Sequence, residues 1–232
     1  MIMGEEQEEN PNLVKEIQLI TGYGFHDPIL LQQAFTHHSY EEGCSSFEWL
    51  AHVGDAALHF FITKEHYFLY PDLDPARLTR LRAANADTEK LARAALRHRL
   101  HEYLRHNIPL LAIQINKYVE AMVDYPLHSS GLIDAPKVLA DVVESLIGAI
   151  YIDSKSSIQT TWKVVKNLLE PIITPTTLPI HPVTQLQELS QRHEFTVKMR
   201  DLWRETGEIE FTVDWRVPWE SQIQCQESCG QI

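Results

Sequence analysis

The stretch Phe47-Glu48-Trp49-Leu50-Ala51-His52-Val53-Gly54-Asp55-Ala56-Ala57-Leu58 decides how the whole chain is read. Its apolar residues Leu50, Val53 and Ala57, continued by Phe60, recur at helical spacing, which predicts an amphipathic helix. Glu48 and Asp55 stand two helical turns apart and so share one stripe, with Ala51 between them. An apolar helix that keeps two acids on one stripe must expose them to water or supply a partner for the buried charge.

The same periodicity runs outward from Leu13 to about Leu169, through Leu30, Leu31, Ala34 and Phe35, then Leu78, Leu81, Leu91 and Leu96, then Leu139, Val142, Val143, Leu146, Ile147 and Ile150. Strand-like alternation is absent from it, so an all-α domain is predicted over 13–170. Breakers fall at Tyr70-Pro71, Ile108-Pro109, Tyr125-Pro126 and Ser129 to Gly131, and Pro136 suits the first turn of the helix that follows. Pro171, Pro175 and Pro179 in a Thr-rich context predict a linker over 171–181. Beyond it, a short helix at Leu186 and Leu189 precedes two alternating stretches, Phe195 to Trp203 and Glu208 to Val217, around Thr206-Gly207. This is a hairpin signal in a small α+β module over 182–218 that lacks the third strand such a unit needs. Residues 1–12 and 219–232 are polar, lack periodicity and are predicted to be disordered.

A second helix also carries acids. In Ala140-Asp141-Val142-Val143-Glu144-Ser145-Leu146-Ile147-Gly148, Asp141 and Glu144 share a stripe with Gly148, where another helix would come close. A divalent cation is one partner for such carboxylates, since hard ions such as Mg²⁺ take oxygen ligands and activate water against phosphodiesters. The spacing alone leaves two other readings open. Asp141 and Glu144 fit a capping box, and all four acids fit a solvated helix surface.

Composition bounds the function. With 44% hydrophobic and 22% charged residues over 232 positions, the chain is that of a folded globular protein. No stretch is long and apolar enough to span a membrane, and the acidic start does not resemble a targeting signal, so an intracellular place, nucleus or cytoplasm, is expected. Cys44, Cys225 and Cys229 are too few for a disulfide framework and are assigned no role. A formal net charge of −12 argues against electrostatic binding of nucleic acid.

The motifs argue otherwise. Ala34-Phe35-Thr36-His37-His38-Ser39-Tyr40, the stretch from Phe47 to Ala56, Leu78-Thr79-Arg80-Leu81-Arg82-Ala83, and Lys137 through Tyr151 resemble, in order and spacing, the successive blocks of a ribonuclease III domain. The details look most like the plant ribonuclease III-like proteins. Residues 182–218 resemble, more faintly, the first helix and two strands of a double-stranded RNA-binding domain; the family's third strand and its Lys-rich second helix are missing. RNA-contacting residues are not assigned.

The resemblance implies a helical endonuclease domain that dimerises, with itself or with a paralogue, and cuts double-stranded RNA with Mg²⁺ or Mn²⁺. It places the metal ligands at Asp55, Asp141 and Glu144, an assisting acid at Glu48 and a phosphate-facing cation at Lys137, with Asp55, Glu144 and Lys137 the catalytic set. The family's fourth carboxylate, four residues before Asp55, is here Ala51, whose methyl group cannot coordinate a metal. Trp49 and His52 also depart from the family pattern, and His52 sits beside the acidic stripe rather than on it. The expectation is therefore a Mg²⁺-dependent endoribonuclease of weakened activity. The alternative is an inactive relative that binds RNA or regulates an intact paralogue.

Overall fold

A computed structural model describes residues 11–129 and 131–178, the helical positions 186, 189, 190, 192 and 193, and residues 195–201 and 209–215. In chain order the helices are α1 (Pro11–Thr21), α2 (Pro28–Ala34), α3 (Glu48–Leu69), α4 (Pro75–Ala86), α5 (Thr88–Arg97), α6 (Leu111–Ala121), α7 (Lys137–Asp153) and α8 (Ile158–Leu169), with short 3₁₀ turns at Leu100–Tyr103 and Met122–Asp124. The predicted breakers lie where these helices stop or have not yet begun.

Helix starts follow the side chains available. Asp27, Asp74 and Asp87 accept backbone N–H groups at the starts of α2, α4 and α5, and Ser157 does so for α8. In α2 and α4 a proline follows the cap, where its missing N–H leaves no hydrogen bond unmade. Pro136 is the N-cap of α7 rather than part of its first turn, so Asp141 and Glu144 lie beyond the position of a capping box.

α7 is buried almost all round, with Leu139, Val142, Val143, Leu146, Ile147 and Ile150 closed to solvent, so it is the axis of the core. α3 and α5 pack on it, and Leu58, Phe61, Ile62, Leu91 and Ala95 complete the centre. Ser145, closed to solvent within this apolar helix, donates to the Ala34 carbonyl oxygen at 2.9 Å and ties α7 to the end of α2. A single parallel bridge, Thr36 to Arg105, pins the segment between α2 and α3 to the chain after α5.

Two expectations change. Residues 11 and 12, assigned above to a disordered lead-in, belong to α1, because Pro11 is tolerated in a first helical turn; the ten residues before them lie outside the described residues. The start of the linker over 171–181 is packed rather than free. Ile173 is buried and exchanges two hydrogen bonds of 2.8 Å with the Asn85 side chain, and Lys90 Nζ donates to the Pro171 carbonyl oxygen. A Pro/Thr-rich composition does not reveal one apolar residue with a buried amide waiting for it.

The chain divides into two compact units, Met1–Pro179 and Ile180–Ile232. In the second, Leu186 and Leu189 are helical, and β1 (Phe195–Asp201) pairs antiparallel with β2 (Ile209–Trp215), in a register running from Phe195 opposite Trp215 to Asp201 opposite Ile209. Phe195 is buried while Thr196, Lys198, Thr212 and Asp214 are exposed, as the alternation requires. Thr206-Gly207 and the tail 219–232 lie outside the described residues.

Candidate active site

Gly54 on α3 and Gly148 on α7 meet with no side chain between them. A Cβ on Gly54 would lie 1.8 Å from the Glu144 carbonyl oxygen, and one on Gly148 would lie 2.0 Å from the Leu50 carbonyl oxygen. The close approach expected at Gly148 is thus present, and the helix that approaches is the one carrying Asp55. The crossing sets the Asp55 turn beside the turn that carries Asp141 and Glu144.

Glu144 registers the crowding. Burial, then the charges of Asp55 and Asp141, push its carboxyl up to about 7 against the opposing pull of Lys137. Among the described residues the three donors that lie within 4.8 Å of one another are those of His37, His38 and Glu48, so a hard divalent cation at Asp55, Asp141 and Glu144 would have to draw their carboxylates in, turning mutual repulsion among oxygens into attraction. Meanwhile nearby bases hold the outer two acids. Lys137 Nζ donates to Asp141 Oδ1, and His59 Nε2 lies 3.3 Å from Asp55 Oδ1. Burial works against the Lys137 ammonium, but Asp141, Glu144 and Asp55 together hold its pKa above the ordinary lysine value.

Asp55, Lys137, Asp141 and Glu144 are therefore brought together. Glu48 is turned elsewhere: its Oε1 lies 2.5 Å from His38 Nδ1. Burial pushes the Glu48 carboxyl up, yet hydrogen bonds from Ser46, His38 and backbone N–H groups outweigh it and hold the pKa below the usual carboxylate value. Ala51 is 8% exposed and fills the stripe position between Glu48 and Asp55 with a methyl group, and His52 points to solvent. α3 consequently offers the cluster Asp55 alone.

Sequence reasoning gave no role to several groups around this cluster. His59 stands one turn beyond Asp55, a spacing that would have exposed the pair. Glu89, buried on α5, accepts from Arg93 Nε and Nη2 at 2.9 and 2.7 Å and from the Ser129 N–H and hydroxyl at 2.8 and 2.6 Å. His128 Nε2 reaches Asp87 Oδ2 at 2.6 Å. This network braces the loop that delivers Lys137, and only its Glu89/Arg93 pair shows in local spacing.

An apolar helical core with an acidic cluster at a two-glycine crossing defines a ribonuclease III-type nuclease fold, and residues 48–155 match the Ribonuclease III domain family. The chain belongs to the ribonuclease III family. It is 44% identical over 209 residues to Ribonuclease 3-like protein 3 of Oryza sativa subsp. japonica, covering 88% of this chain and 70% of that protein. It is 45% identical over 177 residues to Endoribonuclease Dicer homolog 1 of Arabidopsis thaliana, covering 73% of this chain but 9% of that much longer one. The nuclease domain of ribonuclease III from Campylobacter jejuni superposes with a TM-score of 0.55 at 23% identity, over 68% of this chain and 97% of that domain, which supports the fold.

Proposed function

We propose that this chain is a double-stranded-RNA endoribonuclease acting in RNA processing, in nucleus or cytoplasm, by divalent-metal-dependent hydrolysis of phosphodiesters, and that Ala51 weakens it. The observation that carries this reading is the convergence of Asp55, Asp141 and Glu144 with Lys137 at the Gly54/Gly148 crossing. These three carboxylates would hold Mg²⁺ or Mn²⁺, which supplies an activated water and a Lewis acid when bound. Lys137, released from Asp141, would then offer its ammonium to the phosphate. Glu48 would assist only after leaving His38. With one of the family's four ligands absent, activity is expected to fall by at least the ~10 to 100-fold typical of lesser perturbations around a metal.

The exposed apolar stripe of α3 would serve as a face for a second nuclease domain. Trp49, Ala56, Phe60 and Tyr67 lie on one stripe of α3 and are all exposed, Trp49 at 78%. Such a stripe supports a homodimer or a heterodimer with a paralogue.

Ala51 itself favours a second reading, an inactive member that binds RNA or regulates an intact paralogue. Cleavage of a long RNA duplex in Mg²⁺ and then Mn²⁺, by the native chain and by Ala51→Glu, separates the two. Slow native cleavage that rises at least tenfold in the variant supports a weakened enzyme. Equal rates overturn the ligand-loss argument, and no cleavage by either favours the regulator.

A further inference from the structure

Outside the acidic cluster, one ring nitrogen each of His37 and His38 and one carboxylate oxygen of Glu48 lie within 4.8 Å of one another. We propose that these three residues form a second metal site, distinct from the Asp55/Asp141/Glu144 cluster, which takes an imidazole-preferring divalent ion of the Zn²⁺ class. Two imidazoles and a carboxylate are a donor set that suits Zn²⁺ and disfavours Mg²⁺, which prefers oxygen alone. Zinc bonds of about 2.0 to 2.1 Å in a tetrahedron put ligand atoms roughly 3.3 Å apart. The three donors need only modest side-chain rotation to reach that spacing, with His38 and Glu48 opening from their 2.5 Å contact.

The surroundings prepare the site. Glu48 Oε2 is shielded from water and makes no hydrogen bond of good geometry. His37 Nδ1 lies 2.8 Å from Ser39 Oγ, and the tautomer that donates there leaves the Nε2 lone pair for a metal. The other tautomer would accept the Ser39 N–H, which lies 3.1 Å from the same nitrogen, so metal binding would select between two hydrogen bonds already in place. The His37 and His38 rings lie 3.9 Å apart, centroid to centroid. Their segment is fastened at several points: Phe47 N–H to Thr36 O at 2.8 Å, His37 N–H to Arg105 O at 2.9 Å, and Asn107 Nδ2 to Tyr40 O at 2.8 Å. A site on so braced a segment loses little conformational entropy on binding.

The site does not depend on RNA cleavage, and its test reads binding. Chelator-stripped full-length protein is titrated with Zn²⁺ by calorimetry, and with Co²⁺ by absorption spectroscopy, which reports four-coordinate geometry. The tightest equivalent of Zn²⁺ is expected to weaken by at least about tenfold in His38→Ala and in Glu48→Gln, with loss of the tetrahedral Co²⁺ bands. It is expected to persist in Asp141→Asn, which removes a charge from the acidic cluster and from the neighbourhood of His37 but none of the three ligands. Because other histidines lie beside acids, as at Asp55/His59 and Asp87/His128, the decisive reading is which equivalent disappears. If His38→Ala and Glu48→Gln both retain the tightest equivalent, or Asp141→Asn abolishes it, the proposal is overturned. His38 is largely exposed, so its alanine variant folds, and circular dichroism of each variant confirms it.

Discussion

Gly54 and Gly148 stand so close that the Cβ of an alanine at either position would fall inside the carbonyl oxygen of the facing helix, 1.8 Å from Glu144 O in one case and 2.0 Å from Leu50 O in the other. No rotamer change relieves such an overlap, since the obstacle is backbone. The helices would have to separate where the Asp55 turn faces the turn carrying Glu144. Gly148→Ala is therefore expected to destabilise the fold by about 3 kcal/mol or more, the upper range for overpacked cores, as read from urea unfolding. The fraction that remains folded should bind divalent metal more weakly at the acidic cluster.

Ala51→Glu should carry a stability signature besides its effect on cleavage. Residue 51 is almost closed to solvent and shares a stripe with Asp55, and Glu144 is already pushed up to about 7 by burial and by Asp55 and Asp141. A fourth carboxylate added to that crowd without a cation is repelled and poorly hydrated. In chelator the variant should melt several degrees below the native chain. In millimolar Mg²⁺ the gap should close or reverse, so the Mg²⁺-induced shift is larger in the variant. Equal shifts in the two proteins would place residue 51 outside the field of the cluster.

The helical domain was legible because its core is periodic. A buried helix such as α7 and a two-turn acid spacing in α3 leave marks that local sequence carries. The docking of Gly148 against another helix was also legible, but Gly54 as its partner was not, since a contact between distant helices has no local period. The acids Asp55, Asp141 and Glu144 were singled out from spacing and resemblance together. Glu48 was expected beside them because the resemblance implies an assisting acid there, on the Asp55 stripe, yet a stripe fixes only the direction of a Cβ. The carboxylate turned to His38, whose position depends on the bridge between Thr36 and Arg105. The packed strap at Ile173 was missed for a similar reason: its partner, Asn85, lies far away in sequence.

His128 gives the chain a pH-dependent brace. Burial lowers the basicity of its ring, but Asp87, hydrogen-bonded at 2.6 Å, and Glu89 outweigh burial and the opposing Arg93, so the folded-state pKa stands above the ordinary histidine value. A raised folded pKa means that the protonated ring stabilises the fold. That contribution is fully present below the unfolded pKa of about 6.5 and is lost as pH rises through the folded value. The native chain should lose stability relative to His128→Asn as pH rises from about 6.5 through the raised folded-state value, in the difference between their melting temperatures. A constant difference across that window would mean that the ring does not change charge there. Lys90, with burial lowering its pKa to about 8, acts with the opposite sign and at higher pH, so subtracting the variant's curve removes it.

RNA binding should be weak and only gently dependent on salt. Duplex affinity falls with added salt in proportion to the phosphates that protein cations neutralise, by a log–log slope of about 0.9 for each. This chain carries −12 overall, and at the acidic cluster Lys137 is the cation held among Asp55, Asp141 and Glu144. With Ca²⁺ in place of Mg²⁺ to hold back cleavage, the slope for a long RNA duplex should stay below about 3 in magnitude. Lys137→Ala should reduce it by about 1. A slope typical of strongly basic RNA-binding proteins would mean that cations outside the nuclease domain make most of the contacts, which points to the segment beyond residue 180. A steep slope unchanged by Lys137→Ala would also remove that lysine from the phosphate-facing role.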